Sequence, residues 1–404
     1  MTVDPTATAI GTWSGGRFMH FGEPLEDERL LALLKPGDGI DTVMSADAYG
    51  AGEADRLLGR AIEGADRDSF CLIGAIGHDF YEGERDGAKG FPRFTDPRLR
   101  GEGDYGDYIR MAAERSLERL GAERFDLLML HNPDRTGYTS ASVWEGMQAL
   151  REAGLTRLLG VAPGPANGFT LDLIDCFERF GELIDWAMII LSPMEPWPGE
   201  LVLNAARSHD VSLITRVVDY GGLFHDDVRP GHEFAQYDHR KFRPHGWVEA
   251  GVEKLERMRP YAERHELTPL QLACQWNLAH PAVRCVAPTL IQESGASDES
   301  GASRHTSGEI RTGTRTSRES GAGARAIEDK RAELASLPTE VLLSDAEVAE
   351  LRAIGDNSGS MVLKGASVEY EGEQLADRWQ LDEQLGQLAA RWEIAPRRDL
   401  VKLG

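Results

Sequence analysis

Lysine is the scarcest charged residue in this chain: only seven stand among 44 basic residues, so arginine carries almost all the positive charge. A catalytic amine therefore has few possible sources. Cysteine is sparser still. Cys71, Cys176, Cys274 and Cys285 show no C-x-x-C spacing, which argues against a zinc site and a disulfide framework and leaves them as core thiols. No apolar run approaches the roughly 18–20 residues that a membrane helix needs. The opening MTVDPTATAIGTW has neither a basic start nor an apolar signal core, so the cytoplasm is the expected compartment. Positive charge is short overall: 67 acidic residues give a formal net charge of −23, which disfavours nucleic acid and anionic membranes as partners. No G-x-G-x-x-G follows an early strand, which counts against a doubly wound dinucleotide fold.

The chain does hold a regular alternation. The runs Thr8–Trp13, Ile40–Met44, Phe70–Ile76, Phe125–Leu130, Arg157–Ala162, Asp185–Leu191, Val211–Val217 and Val283–Ala287 are nearly continuous in apolar residues, as parallel strands covered on both faces require. Amphipathic stretches lie between them. In YIRMAAERSLERLG, residues Ile109, Ala112, Leu117 and Leu120 make one face, and WEGMQALREAGL stops at Gly154. Eight strands alternating with helices predict an α/β fold, a (β/α)8 TIM barrel, over residues 1–359. Residues 293–323, a Ser/Gly/Arg/Thr tract with ESGA at Glu293, Glu299 and Glu319, read as a disordered low-complexity insertion after strand 8. Residues 360–404 read as a C-terminal tail whose DEQLGQLAARWEI segment forms an amphipathic helix, packing on the barrel or draping over its mouth.

Three stretches carry a family likeness. Gly39–Ile62 (GIDTVMSADAYGAGEADRLLGRAI) resembles the aldo-keto reductase pattern G-I-N-x-x-D-T-A-D-x-Y-G…L-L-G-x-A-L. Ser116–Asp134 (SLERLGAERFDLLMLHNPD) and Leu267–Val283 (LTPLQLACQWNLAHPAV) resemble two further family motifs. The similarity spans about residues 8–355. It implies carbonyl reduction with NADPH, in which a tyrosine gives the proton, a lysine and an aspartate lower its pKa, and a histidine orients the carbonyl. A tyrosine alone titrates near pH 10, so the cationic neighbour matters.

Carried over by position, the tyrosine is Tyr49 and the histidine His131, but the aspartate position holds Met44 and the lysine position Ala75. The nicotinamide positions diverge as well: Ala162-Pro163, Met188, Val217-Val218-Asp219 and Ala287-Pro288-Thr289 replace the family's residues. Arg325 matches a phosphate-contacting arginine beyond the insertion. The resemblance thus implies Tyr49 and His131 as the catalytic pair of a divergent member acting on a small carbonyl or sugar-like metabolite. Non-redox lyase or isomerase chemistry, an NADPH-dependent reductase with an altered site, and a binding or regulatory protein on the same scaffold all stay open. A lysine recruited from elsewhere would have to come from Lys89, Lys241 or Lys364, since Lys35, Lys254, Lys330 and Lys402 fall on outward-facing helices or the tail end.

Four other residues are candidates for substrate contact. Arg216 interrupts an apolar run near the end of strand 7, so either Asp219 or an anionic ligand should satisfy its charge. His78 and Asp79 could form an acid–base pair, and Trp197 could wall the pocket. The histidines and acids after strand 7 match no standard metal spacing, so no metal is expected. The oligomeric state is not legible.

Overall fold

The computed structural model describes residues 4–87, 90–164, 170–294, 324–358 and 383–395, with Asp399. Eight parallel strands run in sequence order around one sheet. They are β1 (Ile10–Gly11), β2 (Thr42–Met44), β3 (Cys71–Ile76), β4 (Phe125–His131), β5 (Thr156–Ala162), β6 (Trp186–Ile190), β7 (Ser212–Arg216) and β8 (Val283–Ala287). The ring closes at one parallel bridge, Thr8 to Val286. There the Ala9 N–H donates to the Val286 carbonyl and the Val286 N–H to that of Ala7, each at 2.9 Å. The predicted (β/α)8 barrel is the observed fold, although several strands are shorter than their apolar runs, β1 most of all.

The helices are α1 (Asp27–Leu34), α2 (Glu53–Ile62), α3 (Tyr105–Leu120), α4 (Arg135–Thr139), α5 (Ala141–Glu152), α6 (Thr170–Phe180), α7 (Leu203–Ser208), α8 (Trp247–Arg264), α9 (Pro269–Leu278), α10 (Ile327–Ala335), α11 (Asp345–Ile354) and α12 (Glu383–Arg391). None of the described helices is long and apolar enough to cross a membrane.

The strands are apolar throughout because each faces two cores. On β3, Leu72 and Ile76 join the layer between sheet and helices, whereas Cys71, Ile73 and Ala75 point into the barrel. The interior also holds Met44, Leu127, Met129, Met188 and Ile214. All four cysteines are buried free thiols.

The proposed insertion lies outside the described residues apart from its first two. Glu293, counted within that tract, is corrected by the structure: it is 1% exposed and bound to Arg240. Of the tail, α12 is described. It buries Leu385, Leu388 and Ala389, and it meets α6 through Arg391 to Glu178 at 2.5 Å and Gln384 to Asp175 at 3.5 Å.

Candidate active site

Tyr49 and His131 meet at the carboxyl ends of β2 and β4, where barrel sites form. Their rings lie edge to face at 5.6 Å. Tyr49 opens a tight 3-10 turn, Tyr49–Gly52, and remains partly exposed. Among the described residues nothing hydrogen-bonds its hydroxyl. Beneath it the barrel interior is apolar, with Met44 at 2% and Ala75 at 9% exposure standing where the resemblance expects carboxylate and amine. Burial raises the Tyr49 pKa, and Arg216 only partly opposes it. The phenol is neutral at physiological pH.

His131 is 7% exposed, and its Nδ1 has no partner among the described residues. Burial, with Arg93 and Arg216 nearby, pushes its pKa down to about 3. It therefore acts as a neutral imidazole. On its other side lies the His78 ring, 5.3 Å away. His78 is fixed at both nitrogens: Nδ1 donates to the Phe91 carbonyl at 3.0 Å, and Nε2 accepts from the Asn132 amide at 3.1 Å. Asn132 adopts φ 47°, and its carbonyl accepts from Arg93 Nε at 2.5 Å.

Gly77 makes this approach possible. A Cβ built there would stand 2.4 Å from the His131 carbonyl. We expect Gly77→Ala to push the end of β4 outward and cost about 1–3 kcal/mol, read from urea unfolding, as overpacking does elsewhere.

The remaining sequence candidates separate. His78 joins the cluster, but Asp79 turns away from it. Its carboxylate pairs with Arg100 and accepts the Tyr81 and Glu82 amides at 3.0 and 2.9 Å, so it shapes the loop and does not serve His78. Arg216 reaches the pocket, where Nη2 donates to the Gly164 carbonyl at 2.7 Å and that of Pro163 at 3.3 Å. Asp219 is not its partner, as one sequence reading had it. That carboxylate instead accepts the Thr289 and Gly222 amides at 2.8 and 3.0 Å. Trp197 is 8% exposed and gives its indole N–H to the Asp399 carbonyl, which places it under the tail. Among the described residues no His/Cys/Asp/Glu group could hold a metal ion. Sequence reasoning missed Asn132, although it directly follows His131. It also missed Arg93, a loop residue with no flanking signal, and Asp47. The Asp47 carboxyl is fully buried, and both its oxygens lack a hydrogen-bond partner among the described residues.

Beside Arg216 a narrow cleft, open to solvent, runs between β6 and α6. Thr170, Leu173, Met188, Ile190 and Val202 line it.

The Aldo/keto reductase family model matches residues 9–306. The chain belongs to the Aldo/keto reductase family. It is 24% identical over 309 residues to the D-threo-aldose 1-dehydrogenase of a Pseudomonas species, covering 70% of this chain and 88% of that one. It is 22% identical over 299 residues to a probable voltage-gated potassium channel subunit beta of Arabidopsis thaliana, covering 70% and 85%. Among solved structures, the glycerol dehydrogenase of Gluconobacter oxydans superposes with a TM-score of 0.60 at 20% identity, covering 88% of this chain and 92% of that one. The holo form of a Bacillus halodurans aldo-keto reductase gives 0.56 at 19% identity, covering 87% and 92%.

The resemblance implied NADPH, with Arg325 on a phosphate. In this chain the guanidinium instead donates to the Glu333 carboxylate at 2.6 Å and the His225 carbonyl at 2.9 Å. Nearby Lys330, expected to face away on its helix, is wholly buried; its amine meets Asp227 at 2.6 Å and the Ile291 carbonyl at 2.5 Å. Arg240 is held between Asp238 and Glu293. Burial opposes charge on Glu293, but hydrogen bonds from His232 and Arg240 outweigh it and hold the carboxyl at about 2. Arg240, Arg325 and Lys330 are thus all matched by carboxylates of this chain. The group does not fit a 2′-phosphate.

Proposed function

We propose that this aldo/keto reductase family protein acts on a small carbonyl or sugar-like metabolite by acid–base chemistry at Tyr49 and His131. The observation that carries the reading is the pairing of an unengaged phenol and a neutral imidazole at the barrel mouth, over an apolar floor. In this arrangement Tyr49 donates its O–H to the substrate carbonyl oxygen, which draws charge from the adjacent carbon. His131, neutral and partnerless at Nδ1, is the proton acceptor of the site. A base with a pKa near 3 is weak and the phenol lacks a cationic helper of the family type, so turnover is slow. Isomerisation and elimination need no more than these groups.

The test is exchange of the C–H hydrogen beside the carbonyl into D2O, followed by NMR across a panel of hydroxy-aldehydes and hydroxy-ketones. The wild type should exchange at least one of them, and Tyr49→Phe should slow that exchange by about a hundredfold or more without changing the melting temperature. Equal exchange by Tyr49→Phe overturns the role.

A second reading, a nicotinamide-dependent oxidoreductase, is favoured by the family and by relatives named as dehydrogenases. Fluorescence titration separates the two. Micromolar quenching by NADH or NADPH supports the oxidoreductase reading. A binding or regulatory role on the same scaffold, as the name of the channel-subunit relative suggests, predicts indifference to both Tyr49→Phe and His131→Ala.

A further inference from the structure

Among the described residues, several deeply buried cations are matched by carboxylates, whereas Arg216, half-buried at the mouth, is not. Arg100 pairs with Asp79, Arg119 with Asp55, Arg240 with Asp238 and Glu293, and Lys330 with Asp227; each of these cationic side chains is at most 10% exposed. Arg216 has no carboxylate within salt-bridge range among the described residues. Its Nη2 is used by two carbonyls, and its Nε and Nη1 have no hydrogen-bond partner there. Carbonyl oxygens orient a guanidinium without cancelling its charge. Glu195, whose charge also acts on Arg216, lies 3.9 Å from Arg243. Partial burial drives the Arg216 pKa below its usual value, and Tyr49 and Glu195 oppose the shift.

The backbone bears a cost to aim this side chain. Val217, the next residue, adopts φ 61°, a conformation that a β-branched residue rarely enters. Arg216 follows the inward-pointing Ile214 by two on β7 and so projects to the same face, above the barrel interior. Its charge acts on both Tyr49 and His131.

We infer that the substrate at Tyr49 and His131 is a monocarboxylate, a small 2-oxo or 2-hydroxy acid, whose carboxylate is held by Arg216. The inference rests on the proposed role of Tyr49 and His131 for the placement of the carbonyl. Arg93, the other cation acting on His131, is turned to the Asn132 carbonyl and His78. Arg216 therefore offers the site one guanidinium and balances one negative charge, whereas a phosphate dianion would need a second free cation. Leu173, Met188 and Val202 in the adjoining cleft suit a short apolar remainder.

Isothermal titration of the full chain with pyruvate, hydroxyacetone and inorganic phosphate tests this. Pyruvate should bind at least about tenfold more tightly than hydroxyacetone, its neutral counterpart, and more tightly than phosphate. Arg216→Gln should bring pyruvate down to the hydroxyacetone level, and Arg216→Lys should recover part of the difference. Tyr49→Phe should weaken pyruvate and hydroxyacetone alike and so keep the preference for pyruvate, which scores the anchor separately from the proton chemistry. Pyruvate that fails to bind, binds no better than hydroxyacetone, or binds Arg216→Gln unchanged overturns the inference. Phosphate preferred over pyruvate overturns it too, in favour of a phosphate ester. Tyr49-dependent exchange of a neutral ketone with no effect of Arg216 would leave the acid–base reading standing and remove this one.

Discussion

Replacing Lys330 by methionine should lower the free energy of unfolding by about 3–5 kcal/mol, the range found when one partner of a buried ion pair is removed. The Lys330 side chain is 0% exposed and that of Asp227 1%, and they meet at 2.6 Å. Burial lowers the pKa of Lys330 and raises that of Asp227, and their contact opposes both shifts. Asp227 Oδ1 already lacks a hydrogen-bond partner among the described residues, so without the amine the carboxylate has little to compensate its desolvation. Adding Asp227→Asn to Lys330→Met removes the stranded charge and should recover more than half of the loss. Urea unfolding of the two single variants and the double closes the cycle. If Lys330→Met costs under about 1 kcal/mol, the pair is not the buried link described here.

The second large effect is acid instability. His78, His131 and His225 are all held neutral, each chiefly by burial, with folded pKa values below the usual histidine range. An unfolded histidine titrates near 6.5. Below that pH the unfolded chain binds protons that the folded protein refuses, so stability present above 6.5 is lost as pH falls. Each histidine contributes about 1.4 kcal/mol per pH unit, and the three together about 4 kcal/mol per unit. Glu293, held at about 2, acts in the same direction but lower, between about 4.5 and 2. Asp47, raised well above the usual carboxylate range by burial and by Asp55, has the opposite sign and moderates the slope. The free energy of unfolding measured from pH 7 to pH 5 should therefore fall steeply. A His225→Gln variant should fall about one proton less steeply; a flat profile would refute the neutral assignments.

Much of the fold was legible because parallel strands buried on both faces leave a strong apolar trace: β3 to β8 sit inside their predicted runs, apart from His131 at the end of β4 and Thr156 at the start of β5. β1 shrank to two residues because only that stretch meets β2 in register. Tyr49, His131, Met44 and Ala75 were readable since strand-end positions follow from local spacing. Pairings across loops were not. Asp79 went to Arg100, Arg216 to loop carbonyls and Lys330 inward to Asp227, and those partners lie far apart in sequence. Glu293 was hidden for a related reason. Its neighbours are small and polar, and only the fold brings Arg240 and His232 to it.

The Thr8–Val286 bridge joins the first strand of the ring to the last. On a ribosome, the growing polypeptide must expose the free edges of β1 and of its newest strand until the segment around Val286 has emerged. Parallel edges offer unpaired amides and carbonyls to any neighbouring chain, and pairing of Val286 with the first strand removes both of these edges at once.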